Sequence, residues 1–284
     1  MKQHDCDRME TLPCGSLIQH GQYNNRIYLM KTGANASPEL PASLIAMAEK
    51  YGYTKIFAKV PSDKADDFTR AGFRVEATVP GFYNGLTAGL FLAYYLDEKR
   101  VCEFEAGATY EQNMLLTTNK GKTLIQALDA GKFLLRPCVE GDVAQMAEIY
   151  KIVFASYPFP IHNPEYLLET MRHHIDYFCV ETTGKIVALS SAEKDQEASN
   201  LEMTDFATLP QWRGNGLGVH LLKYMEIEGK KNGIKTAYTI ARAASAGMNI
   251  TFAKLDYNFG GRLKNNTNIS GKIESMNVWH KPIL

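Results

Sequence analysis

The sequence predicts an α/β protein, and three observations lead there. A strand-like run, Leu201 to Leu209, meets a glycine-rich loop, Gln211-Trp212-Arg213-Gly214-Asn215-Gly216-Leu217-Gly218, and a helical pattern leaves it. Elsewhere the apolar residues switch repeatedly between helical spacing and strand-like runs. Glycine, proline and asparagine mark the switches, so the elements are short and closely connected.

Composition bounds the function. Lysine plus arginine and aspartate plus glutamate both number 31, and zero net charge argues against a nucleic-acid or membrane-surface partner. The five cysteines are scattered and form no C-x-x-C pair, as expected of reduced thiols. Met1 to Glu10 is polar, unlike a signal peptide. The longest apolar run, Leu86 to Leu96, is about half the ~20 residues of a membrane span. The expectation is a cytoplasmic protein of two units, 1–130 and 131–284.

In the first unit, strands are expected at Ser16–Ile18 and Arg26–Met30. Pro41 opens a helix carrying Leu44, Ile45, Met47 and Ala48, and Gly52 ends it. Lys55–Val60 reads as a strand, Ser62 to Arg70 as a helix, and Phe73–Val79 and Leu90–Leu96 as strands around a loop, 80–85. Residues 97–130 are polar, with a turn signal at Asn119-Lys120-Gly121.

In the second unit, Phe133–Arg136 is a short strand and Asp142 a suitable N-cap for a helix bearing Val143, Met146, Ile149, Tyr150 and Val153. Tyr157-Pro158-Phe159-Pro160-Ile161 is too proline-rich for either element, and Asn163-Pro164 starts the next helix. Tyr177–Glu181 and Lys185–Ala192 form a hairpin about Thr182-Thr183-Gly184. After the glycine loop, Leu217, Leu221, Leu222 and Met225 share one helix face; strand Lys235–Ala241, helix Ala244–Leu255 and closing strands follow.

The glycine loop is suited to a phosphate. Glycines at alternate positions let the backbone approach a ligand, and the following helix aims its free N–H groups at the same place. A dinucleotide loop requires G-x-G-x-x-G, and Val219 stands at its third glycine. A P-loop fails too: Gly121-Lys122-Thr123 is present, but Leu116 occupies the first glycine position. A helix start with no ligand is the alternative. The string Q-x-x-G-x-G with Arg213 inside it resembles the acetyl-coenzyme A loop of the GNAT N-acetyltransferases. The order of elements from about residue 132 onward is similar to theirs, a mixed, mostly antiparallel sheet flanked by helices. The first unit resembles a degenerate half of that fold; an unrelated α/β cap is the alternative.

The resemblance implies acetyl-coenzyme A as cosubstrate and no metal. It places the thioester on the backbone of Phe206, Ala207 and Thr208, and the pyrophosphate on Arg213, Gly214, Asn215, Gly216, Leu217 and Gly218. Acetyl transfer to an amine also requires a base and a proton for the leaving thiolate. Glu202 and Asp205 are the candidate bases. Their separation puts them on opposite faces of a regular strand, Asp205 on the apolar row of Leu201, Met203, Ala207 and Leu209, unless a bulge intervenes. At the position of the tyrosine that protonates the thiolate in relatives stands Phe252, which carries no proton. Tyr257 is the nearby candidate, and a core aromatic is its other reading. His173, His174, Asp176 and Cys179 are a weak metal set, since they span a helix end and a strand.

Five strings narrow the resemblance: 79–83 (Val-Pro-Gly-Phe-Tyr), 157–161, 202–208 (Glu-Met-Thr-Asp-Phe-Ala-Thr), 259–266 and 274–279. They are similar to the β-lysine N-acetyltransferases, which implies the ε-amine of β-lysine as acceptor and a compatible solute as product. A coenzyme-binding sensor without catalysis is the competing class. The expected acceptor residues are Tyr157 and Phe159, Asn265 and Asn266, and Tyr83, whose loop would close the cleft from the first unit.

Overall fold

The structure is a computed structural model and describes residues 7–103 and 125–283. The turn expected at Asn119-Lys120-Gly121, the Gly121-Lys122-Thr123 string and Cys6 lie outside the described residues.

In chain order the first half contains β1 (Arg8–Thr11), β2 (Leu17–Gly21), β3 (Arg26–Lys31), α1 (Leu40–Tyr51), β4 (Lys55–Pro61), α2 (Ala65–Arg70), β5 (Arg74–Tyr83) and β6 (Thr87–Tyr95). The second half contains β7 (Leu134–Pro137), α3 (Val143–Val153), α4 (Pro164–His173), β8 (Ile175–Thr182), β9 (Lys185–Asp195), β10 (Asn200–Thr208) and α5 (Leu217–Lys231). It closes with β11 (Thr236–Arg242), α6 (Ala246–Lys254), β12 (Asn258–Ile269) and β13 (Lys272–Pro282).

All of these strands join one 13-stranded sheet, in the order β1-β2-β3-β4-β6-β5-β12-β13-β11-β10-β9-β8-β7. Among the described residues β3–β4 and β10–β11 pair in parallel and the other neighbours antiparallel. The mixed, mostly antiparallel sheet is therefore present, and it is continuous across the expected boundary between units. The two halves meet where β5 lies beside β12, with Ala77 opposite Gly261.

Strand alternation sorts the two faces. On β3 and β4, Ile27, Leu29, Ile56 and Ala58 pack with Leu40 and Leu44 of α1 and Phe68 of α2. On β10 and β11, Leu201, Met203 and Ala237 pack with Leu221, Leu222 and Met225 of α5 and Phe252 of α6. Among the described residues the opposite face has no such helices at its centre. There Tyr28, Phe57 and Phe91 of the first half pack directly with Tyr238, Leu263, Met276 and Val278 of the second. Helices α3 and α4 cover that face only at its far end, over Tyr177, Cys179, Leu189 and Ala207.

A flat sheet could not make that contact. Five strand spacings separate β4 from β11, roughly 24 Å at ~4.8 Å per strand. Yet Lys59 Nζ on β4 donates to Tyr238 Oη on β11 at 3.2 Å. The sheet therefore curls, and its inner face closes on itself.

Three buried cations of the first half pin the curl. Where β12 bulges between Leu263 and Thr267, its carbonyls leave the ladder. Lys55 Nζ donates to the Lys264 carbonyl at 2.6 Å, Arg100 Nε to the Asn265 carbonyl at 2.8 Å, and Arg26 to the Asn266 carbonyl. Asn265 turns its side chain to the carbonyls of Arg100 and Cys102, and Asn266 is buried. These two asparagines hold the halves together, and the acceptor role expected for them is corrected here. An asparagine run serves because Asn265 sits at φ 41°, a left-handed position that Asn tolerates better than most residues.

Local signals mostly agree with the sequence. Gly52 caps α1 at φ 68°, and Asn163 caps α4 by accepting from the Glu165 N–H at 2.9 Å. Asp142 stands at the N-cap of α3 as expected, but its side chain makes no bond to that helix. It accepts from the Val139 N–H at 2.8 Å, which caps the short 3-10 turn Glu140–Asp142, and from Arg136. The loop expected at 80–85 is mostly strand, with β5 running through Pro80 to Tyr83.

Candidate active site

The site begins where two strands part. β10 pairs with β11 only from Asn200 to Glu202, opposite Thr236 to Tyr238. Beyond that, the β11-facing backbone groups of Met203 to Thr208 have no strand partner among the described residues. A cleft of about 690 Å³ opens there, lined by Thr204, Asp205, Phe206 and Thr208 on one side and Thr239, Ala241 and Phe252 on the other. Of the backbone stretch expected to meet the thioester, Phe206 and Thr208 line this cleft, while Ala207 is buried beneath it.

The glycine loop forms one end of the cleft. Arg213, Gly214, Gly216, Leu217 and Gly218 line it. Asn215 instead ties the loop together, donating to the Trp212 carbonyl at 3.0 Å. Gly214 and Gly216 have φ of 83° and 69°, positions any other residue would occupy under strain. A Cβ added at Gly214, Gly216 or Gly218 would meet no protein atom within 4 Å, so the glycines leave ligand space. No side chain caps α5, and the N–H groups of Leu217 and Gly218 have no partner among the described residues. The residues present fit a pyrophosphate bound by backbone amides and Arg213.

Below the splay the inner face carries an acidic chamber, a cluster of side chains of which Asp205 lines the cleft and Glu202 and Glu193 do not. β10 and β9 change register between Thr204 and Ala207, a bulge in which Asp205 takes φ 54°. That extra residue turns Asp205 to the same side as Glu202. The apolar row expected through it is split, because Leu201 and Met203 face α5 while Ala207 packs with α3 and α4. Ser191 donates to Asp205 at 2.6 Å, and Tyr157 donates to it as well. Burial raises the Asp205 pKa, and the Ser191 and Tyr157 hydrogen bonds oppose the rise.

Glu202 stands opposite Glu193 across β9 and opposite Tyr238 across β11. Tyr238 Oη donates to Glu202 Oε2 at 2.8 Å. Burial pushes Glu202 up to about 7, with Lys59 pulling down and Glu193 pushing further up. Glu193 is raised too, by burial, against the pull of Lys59. Of these carboxylates Glu202 is the one brought to about 7, and burial raises Glu193 and Asp205 as well.

The other expected residues divide. Tyr157 lines the cleft, and burial and Asp205 keep its proton on. Phe159 does not; it packs against the α3–α4 core. Tyr83 is outside the cleft lining, but its loop does cross to the second half. The Asn84 N–H donates to the Ala198 carbonyl at 2.6 Å, and Lys235 donates to the Asn84 carbonyl at 3.2 Å. Tyr257 is corrected: it is fully buried with Trp279 and Phe252 in the core under α5 and α6, and it does not line the cleft. Tyr257 follows the donor position, which Phe252 occupies, by five residues, and the chain turns its ring inward after α6.

The weak metal set is not assembled. Asp176 pairs with Lys194 at 2.8 Å. Cys179 instead gathers with Cys138 and Asp142, their ligand atoms within 4.8 Å of one another. Both Asp142 oxygens already accept from Arg136, at 2.7 and 3.1 Å.

Comparison with known proteins agrees with this geometry. The acetyltransferase (GNAT) family model matches residues 146–255, which hold the splayed strands, the glycine loop and the cleft. A β-lysine N(6)-acetyltransferase of Methanococcus maripaludis is 38% identical over 266 residues, 94% of this chain and 96% of that protein. The chain belongs to the β-lysine N6-acetyltransferase family of the GNAT enzymes. A second protein of that description, from Methanosarcina mazei, is 33% identical and aligns with 85% of this chain and 96% of its own length. The N-acetyltransferase YodP of Bacillus subtilis is 28% identical over 94% of this chain and 96% of its own. The chain is thus an N-acetyltransferase with acetyl-coenzyme A as donor and a small amine as acceptor. Among the described residues no helix is long and apolar enough to cross a membrane.

Several residues of this acetyltransferase's chamber carry no motif. Glu193 lies one residue past the strand expected to end at Ala192, though counting outward from the turn at Gln196–Ser199 pairs it with Glu202. Tyr28, Lys59 and Tyr238 gave no local signal, because the curl of the sheet is what gathers them.

Proposed function

We propose that this enzyme acetylates the ε-amine of β-lysine, with Glu202 as the base. The observation that carries the reading is Glu202 itself. It is held by Tyr238 beside the parted strands and raised to about 7, where a carboxylate both accepts and releases protons at neutral pH. An ε-ammonium group has a pKa near 10.4, so the amine needs a proton acceptor before it can attack. Glu193, Glu202 and Asp205 together suit an acceptor with two ammonium groups. The coenzyme supplies the activated acetyl group. The β11-facing amides of Phe206 to Thr208 serve its carbonyl, and those at the start of α5 serve its pyrophosphate.

The named activity of the two archaeal relatives supports the same acceptor. The product, Nε-acetyl-β-lysine, carries one ammonium and one carboxylate, and a net-neutral solute of this kind fits a role in osmotic balance. Incubating the protein with acetyl-coenzyme A and β-lysine, α-lysine or spermidine, and following free thiol, tests the reading. β-Lysine is expected to give the highest kcat/KM, with NMR locating the acetyl group on the ε-nitrogen. A preference for spermidine would overturn the assignment.

A further inference from the structure

The acidic chamber contains one cation, Lys59, whose effect on the base does not account for its lack of a carboxylate partner among the described residues. Lys59 is half-buried on β4, on the inward side that also carries Phe57. Its ammonium donates to Tyr238 Oη, and that hydroxyl in turn donates to Glu202. It also lies over the Tyr28 and Tyr238 rings, 5.4 and 5.6 Å from their centroids.

The neighbouring cations are committed. Lys194 pairs with Asp176, Lys31 with Glu197, and Arg242 takes Glu274 through two hydrogen bonds. Lys59 forms no ion pair among the described residues. It nevertheless acts electrostatically on Tyr28, Tyr83, Glu193, Glu202 and Tyr238.

Three carboxylates facing one chamber attract an ammonium and repel an anion. An acceptor that carries a carboxylate beside its amines therefore needs a positive group there, or its own charge counts against it. A cation held by a neutral hydroxyl and two ring faces remains able to take a carboxylate as partner. We infer that Lys59 is the specificity residue that receives the carboxylate of the acceptor, a contribution of the first half to the site. This rests on the reading of the acceptor as a diamino acid.

Acceptors in matched pairs test it: β-lysine, α-lysine and ornithine, each against its carboxamide, with wild-type enzyme and with Lys59→Met and Lys59→Arg. Wild type is expected to favour the carboxylate member. Lys59→Met also removes the charge that pulls the Glu202 pKa down, so both members are affected. Its KM for the carboxylate member should rise on the order of tenfold more than for the carboxamide, an excess largely rescued by Lys59→Arg. Equal losses on both members would make Lys59 a tuner of Glu202 and overturn the inference. So would wild type showing no preference for the carboxylate in any accepted pair, a result that needs no variant to fold. If β-lysine is refused while another carboxylate member is favoured through Lys59, the β-lysine reading falls and this one stands.

Discussion

The coenzyme end and the acceptor end of this enzyme are built in different ways. The coenzyme end is local: one strand, one loop and one helix start, contiguous from Thr204 to Val219, form one wall, and Thr239 to Lys254 form the other. The acceptor end is collected from β3, β4, β9, β10 and β11, with residues from Tyr28 to Tyr238 meeting across the curl. A thioester donor shared by many enzymes can be held by backbone amides, which need only glycines and a helix. An acceptor must be told apart from other amines, and that takes side chains of stated charge at stated separations.

The comparison breaks first where the curl is pinned. Lys55 and Glu76 are paired at 2.8 Å with side-chain exposures of 0% and 7%. Lys55→Ala would leave the buried Glu76 carboxylate with no cation, held only by Tyr95 and the Lys264 N–H among the described residues, and would free the Lys264 carbonyl, at a cost of about 3–5 kcal/mol. Urea denaturation measures it; a loss under 1 kcal/mol would mean the halves do not depend on this join.

Next comes the base. Glu202→Gln is expected to lower kcat about 10²-fold, near 2.7 kcal/mol of barrier. The base works deprotonated, so wild-type rate should fall as pH drops through about 7, and the variant should lose that limb. A pH–rate profile unchanged in the variant would remove Glu202 from the mechanism.

The coenzyme end is tested at Gly218 rather than Gly216, whose φ of 69° would confound binding with strain. Gly218→Val places its methyls in the open space of the cleft. Coenzyme affinity should drop about tenfold, near 1.4 kcal/mol, with melting temperature nearly unchanged. Calorimetry showing full affinity would move the pyrophosphate elsewhere. The smallest effect is expected at Tyr257→Phe, less than twofold on kcat, since its hydroxyl is buried away from the cleft. A tenfold loss of kcat with intact stability would restore Tyr257 as the proton donor.

By itself the sequence determined what rests on neighbours along the chain. Alternate glycines ahead of a helix, Gly52 ending α1 and Asn163 starting α4 act through backbone conformation and hydrogen bonds a few residues long, so the spelling suffices. Glu202 and Asp205 were also identifiable as acids on the strand before the loop. Only the tertiary structure decided that they share a face, because a single inserted residue reverses the alternation on which any strand reading depends. It also decided that Tyr257 turns into the core, and that Asn265 and Asn266 bind the first half instead of a ligand. Lys59 lies 179 residues from Tyr238 in the chain, and no local pattern records that distance. The curl brings them together because the inner face of the sheet buries its aromatic side chains against itself.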